Sequence, residues 1–161
     1  MFFLTAAPCQ GGFYLGGTFG RSAIIISKKD SANDSKSDDG FTVNVFGGYG
    51  LVTGGLYMGG RARLFGRDFT NPDTENTSAS FSSLEFVCGQ YITPSTLVSF
   101  SIGPEISWNK KWGVSIGASS RTMITGVTFV QIEGNYLFSN KITDTDYKRA
   151  MRFMIGGGYN F

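Results

Sequence analysis

The sequence predicts an all-β fold: an eight-stranded antiparallel up-and-down barrel that crosses a membrane with each strand in turn. Three observations predict it. A period-two alternation of apolar and small or polar residues recurs eight times along the chain. Arg61, Arg63, Glu85, Glu105, Glu133 and Arg152, well inside those segments, sit on the face opposite the apolar one. Long polar connections alternate with tight links.

The composition excludes most other readings. The chain has 161 residues, the size of one domain. Its 23 Gly and 15 Phe, with only 16% charged residues, are unusual for a water-soluble globule. The net charge of +2 leaves no basic stripe for nucleic acid, and no nucleic-acid partner is expected. No stretch approaches the roughly 18 apolar residues of a membrane-spanning helix. Gly and β-branched residues interrupt every helix-period stripe. A membrane reading therefore rests on strands.

The alternation runs as follows. Phe13, Leu15, Gly17 and Phe19 oppose Tyr14, Gly16, Thr18, Gly20 and Ser22. In 41–52, Phe41, Val43, Val45, Tyr49 and Leu51 oppose Thr42, Asn44, Gly48 and Gly50. In 55–66, Leu56, Met58, Ala62 and Leu64 oppose Tyr57, Gly59, Arg61 and Arg63. In 83–92, Leu84, Phe86, Cys88 and Ile92 oppose Ser83, Glu85, Gly89 and Tyr91. In 97–108, Val98, Phe100, Ile102, Ile106 and Trp108 oppose Ser99, Ser101, Gly103, Glu105 and Ser107. In 112–121, Trp112, Val114, Ile116 and Ala118 oppose Gly113, Ser115, Gly117, Ser119 and Arg121. In 126–138, Val130, Ile132, Tyr136 and Phe138 oppose Gln131, Glu133 and Asn135. In 149–161, Met151, Phe153, Ile155, Tyr159 and Phe161 oppose Arg152, Gly156, Gly158 and Asn160. One apolar and one polar face is the pattern of a half-buried strand. Most segments reach the ~9–11 residues a tilted strand needs to cross a bilayer. Arg21 and Gln90 break the phase by falling on the apolar face; a rim position for Arg21, or a β-bulge at either, would relieve this.

Residues 27–40, 67–80 and 139–147 read as polar loops. Tight links are expected at Thr53-Gly54-Gly55, at Thr93-Pro94-Ser95-Thr96 and around Ser120–Ile124. Asn109-Lys110-Lys111 is a short link where parity calls for a long loop. Residues 1–11 form an N-terminal segment in which Met1–Ala7 reads as the remnant of a signal peptide, although a basic start is missing. The barrel domain is then 12–161. Cys9 and Cys88 are too few for a disulfide framework and read as separate thiols.

The charges decide which face turns inward. Arg61, Arg63, Glu85, Glu105, Glu133 and Arg152 share the face of Gly, Ser, Thr and Asn. The Lys residues stand in connections and at strand ends. Sparse charges of both signs among small residues suit a narrow interior in which each ion needs a partner. The apolar face then meets lipid. Arg61, Arg63 and Arg152 are expected to pair with Glu85, Glu105 and Glu133 across the lumen, with Glu105 nearest Arg61 or Arg63. Inward glycines make room for Tyr14, Tyr57 and Tyr91.

The chain finishes Gly156-Gly157-Gly158-Tyr159-Asn160-Phe161, and its first strand opens Gly12-Phe13-Tyr14-Leu15-Gly16-Gly17. The ending resembles the C-terminal strand signature of bacterial outer-membrane proteins. The opening resembles the first strand of the outer-membrane protein A and opacity-protein group. The resemblance implies short periplasmic turns, longer extracellular loops, and Tyr159 and Phe161 as the signal read by the barrel-assembly machinery. It implies outer-membrane lipids as the surroundings of the outer face. Trp108, Trp112, Tyr136, Phe138 and Phe161 fall near strand ends, where amphipathic rings suit the headgroup belt.

No catalytic constellation emerges. Barrel enzymes of the outer membrane use histidine-assisted chemistry, and this chain has no histidine. Asp30, Asp34, Asp38 and Asp39 lack the spacing of a calcium loop. No cofactor or metal is expected. The leading expectation is a structural or surface-interaction barrel of adhesin or antigen type, its lumen plugged by the Arg/Glu pairs. Loops 27–40 and 67–80 would then meet a host or surface ligand. A small channel or transporter and a soluble lipocalin-like barrel are the alternatives.

Overall fold

The computed structural model describes residues 10–28, 35–70, 79–107, 111–139 and 146–161. These form eight strands: β1 (Gln10–Lys28), β2 (Ser35–Thr53), β3 (Leu56–Thr70), β4 (Ala79–Tyr91), β5 (Thr96–Ser107), β6 (Lys111–Met123), β7 (Thr128–Ser139) and β8 (Asp146–Asn160). Each pairs antiparallel with its sequence neighbours, and β8 pairs with β1 to close the barrel. Closure leaves no strand edge without hydrogen bonds, the condition for a sheet to survive in lipid. The seam runs from Tyr14↔Asn160 to Lys28↔Asp146, and the Phe161 amide donates to the Phe13 carbonyl at 2.8 Å.

The three tight turns share one end of the barrel. Between β2 and β3, Gly54 and Gly55 take φ of 59° and 83°, the left-handed pair that suits a two-residue hairpin to twisted strands. The other two turns are near copies of each other. In Ile92–Thr96 the Ile92 amide donates to the Thr96 carbonyl at 2.9 Å, and Thr93 Oγ1 accepts from the Thr96 amide at 3.0 Å. In Ile124–Thr128 the Ile124 amide donates to the Thr128 carbonyl at 2.9 Å, and Thr125 Oγ1 accepts from the Thr128 amide at 3.0 Å. This last turn begins at Ile124, the final residue of the expected link around Ser120–Ile124, because β6 stays paired with β7 through Met123↔Phe129.

At the opposite end the strands run further than the polarity of the sequence predicts. β1 reaches Lys28 and β2 starts at Ser35, so most of the predicted loop 27–40 is paired strand or lies in 29–34, outside the described residues. Likewise β3 reaches Thr70 and β4 starts at Ala79, which narrows the connection to 71–78, also outside them. Beyond the apolar band both faces of a hairpin can meet water, so polar residues do not end the ladder.

Even alternation holds along the strands with one interruption. The register shifts between Val45 and Phe46 in the β2–β3 ladder and between Arg63 and Gly66 in the β3–β4 ladder. Leu64 and Phe65 both point outward and are exposed, and Gly66 takes the inward position. This is a bulge, one extra residue absorbed by one strand. Arg21 and Gln90 lie in regular register, and both stay on the outer face. Gln90 sits at the end of β4, beside the Ile92–Thr96 turn.

Candidate functional site

The outer face carries the apolar residues. Phe13, Leu15, Phe19, Leu84, Phe86, Phe100, Ile102, Ile132, Phe153 and Ile155 are exposed there. An apolar surface of this extent is not tolerated by a water-soluble barrel. The lipocalin-like alternative is thereby overturned. Cys88 is a free thiol on this same face.

The inner face holds two kinds of packing. Toward the tight-turn end, Tyr14, Phe46, Tyr57, Val87, Leu97 and Phe129 form a buried apolar cluster, with Val52, Tyr91 and Met123 against it. Inward glycines leave space for its rings. A Cβ at Gly48 would collide with the Tyr14 ring, and one at Gly50 with the Tyr57 ring. The expected interior of small and polar residues is therefore only part of the truth. Alternation also sends Phe46, Val87, Leu97, Phe129, Leu137 and Met154 inward, where all are buried. An eight-stranded barrel is just wide enough for side chains to fill, and rings fill space that glycines leave.

The middle of the lumen is ionic. Arg61 on β3 grips Glu133 on β7 with a two-pronged contact, Nη1 to Oε2 at 3.1 Å and Nη2 to Oε1 at 2.8 Å. β3 and β7 are four strands apart in a ring of eight, so this pair crosses the full width of the barrel. Arg61 Nε also donates to Glu85 Oε2 at 2.9 Å. Arg63 Nε donates to Glu85 Oε1 at 2.8 Å, and its Nη2 reaches Glu133 Oε1. Ser83 and Gln131 each add a hydrogen bond to a carboxylate, at 2.9 Å to Glu85 and 2.8 Å to Glu133. All four ions are almost wholly buried. Two cations and two anions with every carboxylate oxygen engaged is the arrangement that makes buried charge tolerable, although Arg63 Nη1 is buried without a partner.

Glu105 joins a second group. Its carboxylate receives both Nη atoms of Arg152, each at 2.8 Å, and Arg152 lies 3.8 Å above the Phe81 ring. The expectation that Glu105 sits nearest Arg61 or Arg63 is corrected. Glu105 is on β5, at Ser83↔Glu105 and Glu105↔Gly113, nearer the open end than Glu85, and Arg152 on β8 reaches it from across the lumen. Sequence reasoning placed Arg121 on the inner face but gave it no part. It stacks over Tyr14 at 4.1 Å and Phe129 at 4.4 Å, and its Nε donates to Gln131 Oε1 at 3.2 Å.

Of the five aromatics assigned to the headgroup belt, Trp108 lies outside the described residues. Trp112, Phe138 and Phe161 are exposed on the outer face, and Tyr136 is half-buried against Phe138 with ring centroids 4.4 Å apart. Tyr159 and Phe161 meet edge to face at the tight-turn end, with ring centroids 5.0 Å apart. Among the described residues no three His, Cys, Asp or Glu side chains converge to hold a metal ion.

No protein-family model matches the chain, and no curated protein does. Solved structures do. The attachment invasion locus protein Ail of Yersinia pestis superposes with a TM-score of 0.59 at 14% identity, over 92% of this chain and 98% of that one. Neisserial surface protein A (NspA) gives 0.57 at 13% identity, over 92% of this chain and 97% of that one. At such identities the likeness is one of fold. With its lipid-suited outer face, packed interior and closed ring of eight strands, the chain has the architecture of the small outer-membrane β-barrels.

Proposed function

We propose that this protein is a surface-interaction barrel of the bacterial outer membrane, non-catalytic and closed to solutes, with an adhesin- or antigen-like role. In this reading the tight turns face the periplasm and the long connections face outward. The observation that carries it is the height of the first hairpin. β1 and β2 have 19 residues each, against 12 in β5 and β7. At about 3.3 Å per residue and a tilt of about 45°, such strands rise roughly 45 Å along the membrane normal. The apolar band of an outer-membrane barrel is only about 25 Å tall. The hairpin's strands thus end, at Lys28 and Ser35, well clear of the membrane, a geometry suited to contact with another surface. The Arg61–Glu133 crossing and the aromatic cluster below it support a plugged lumen over the channel alternative.

The remaining assignments belong to the same proposal. Trp112, Tyr136, Phe138 and Phe161, with Trp108, anchor the barrel in headgroups. Tyr159 and Phe161 serve the assembly machinery during insertion. Outer-membrane lipids surround the band, and a host or surface molecule is the partner of the outward end.

Membrane fractionation combined with proteolysis of intact cells tests the location. Recovery in detergent-extracted outer membrane, with cleavage within 29–34 or 71–78, is expected. Recovery as a detergent-free soluble monomer would overturn it. Planar-bilayer recording tests the plug, and steady single-channel steps from the unmodified protein would favour the channel.

A further inference from the structure

Below the aromatic cluster, the tight-turn end of the barrel opens into a cavity of about 520 Å³. Tyr14, Tyr57, Tyr91, Arg121, Val127 and Asn160 are among its lining residues. Its size falls within the range of small-ligand pockets, roughly 300–1,000 Å³. Three observations give it chemical character.

First, the buried charges of the lumen do not balance among the described residues. Among the described residues, the buried ions are Arg61, Arg63, Arg121 and Arg152 against Glu85, Glu105 and Glu133. The carboxylates are engaged by Arg61, Arg63 and Arg152. Arg121 is left over, only 8% exposed, with an amide oxygen and two ring faces as its neighbours. Ring faces attract a cation but do not neutralise it. Second, the hydroxyls of Tyr14 and Tyr57 are buried beside each other just behind this wall and make no hydrogen bond of ordinary geometry. Buried polar groups of this kind ordinarily have one. Third, Val127, Val52 and the Tyr91 ring give an otherwise largely polar wall an apolar and aromatic stretch.

We propose that this vestibule binds a small organic anion, with a phosphate or carboxylate head against Arg121 and the tyrosine hydroxyls and an apolar or aromatic body against the valines and rings. One negative charge would cancel the excess positive charge of these buried ions. A guanidinium suits an oxyanion because its N–H groups form a fork that matches two oxygens. The same head chemistry belongs to soluble periplasmic metabolites and to inner-leaflet phospholipids. That the cavity faces the periplasm rests on the orientation proposed above; the binding chemistry does not.

The test uses isotope-labelled, refolded full-length protein in non-ionic octyl glucoside micelles, which carry no phosphate. Phenyl phosphate is the probe, and benzyl alcohol is its neutral counterpart. Saturable amide shifts confined to Gly12, Gly126, Val127 and Asn160 are expected with phenyl phosphate only. Arg121→Gln should weaken binding by about tenfold or more, the scale of a lost charge-assisted hydrogen bond. Arg121→Lys should lose less, because the charge remains. Tyr57→Phe, which keeps the ring and removes the hydroxyl, should weaken binding several-fold and serves if Arg121→Gln fails to refold. Competition by added phosphatidylglycerol would assign the site to a lipid headgroup, and its absence to a soluble anion. Equal binding by Arg121→Gln and wild type, equal shifts with benzyl alcohol, or no saturable shift would overturn the proposal. Because the micelle assay is blind to cellular location, its failure and a failure of the surface-barrel reading are distinguishable.

Discussion

Arg61 and Glu133 hold opposite walls of the barrel together: the guanidinium from β3 meets the carboxylate from β7 edge to edge, its shorter contact 2.8 Å. Neither group is accessible to water. Their partners Glu85 and Arg63 come from the β3–β4 side, so Glu133 is the single anion by which β7 is tied to that side.

Glu133→Gln should therefore be the most damaging neutralisation in the lumen. It leaves Arg61 and Arg63 sharing Glu85, with a desolvated positive charge uncompensated. The expected loss is about 3–5 kcal/mol, read by urea unfolding of lipid-refolded protein. In double-mutant cycles, Glu133→Gln should couple to Arg61→Gln by about 0.5–3 kcal/mol. Glu105→Gln should couple to Arg152→Gln and add independently to Arg61→Gln. Additivity of all three combinations would show that these ions do not interact.

The outer face should reject charge that the inner face can absorb. Phe100 is 61% exposed and Ile116 42% exposed on the apolar surface. An arginine at either position should cost roughly 2–4 kcal/mol if it lies near the bilayer midplane. The comparison is made in bilayers and in micelles of short-chain detergent, where solvent reaches the surface more easily and the penalty should shrink. The same penalty in both would mean that the residues do not face lipid.

Gly66 has its inward place only because the bulge at Leu64–Phe65 turns it there, and a Cβ on it would run into the Phe81 ring. Gly66→Ala should destabilise by about 1–3 kcal/mol, the usual scale of overpacking. Combining it with Phe81→Leu should recover part of that loss. A Gly66→Ala protein as stable as wild type would place Phe81 elsewhere.

The paired turns offer an internal control. Thr93 Oγ1 accepts from the amides of Ser95 and Thr96, and Thr125 Oγ1 from those of Val127 and Thr128. Thr93→Val and Thr125→Val keep the shape and remove the acceptor. Each should cost about 0.5–1.5 kcal/mol, because each hydroxyl accepts from the amides two and three residues on, and Thr125→Val, which also loses the 2.7 Å contact with Thr128 Oγ1, should cost the more of the two. A large effect at one site alone would show that the turns are not equivalent.

Alternation made the strand count, the outward face and the inward Arg and Glu legible, since one residue in two is committed to each side whatever its identity. The same parity pointed Phe46, Val87, Leu97 and Phe129 inward. Hydrophobicity argued the other way for each of them, because an isolated apolar residue on a polar face reads as noise until its partner across the ladder is known, a glycine for Phe46, Val87 and Phe129. The pairing of Glu105 with Arg152 depends on how far strands are staggered around the ring, which local sequence does not encode. The bulge is written as Leu64-Phe65, two apolar residues in succession, but Ala23-Ile24-Ile25-Ile26 shows a longer apolar run in regular register. Strand ends at Lys28, Ser35 and Thr70 escaped the reading because polarity marks where lipid stops, while pairing continues for as long as two chains have each other to bond.

The seam between β1 and β8 bears on how the molecule can come into being. The first and last strands are mutual partners along most of their length. No portion of the chain lacking β8 is a smaller barrel. It is an open sheet with two bare margins, and in hydrocarbon each exposed amide or carbonyl on them is costly. A ribosome must accordingly have delivered the chain through β8 before a lipid-stable form of the barrel exists. Synthesis and insertion are separated in time, and the unfinished chain must be shielded through the interval.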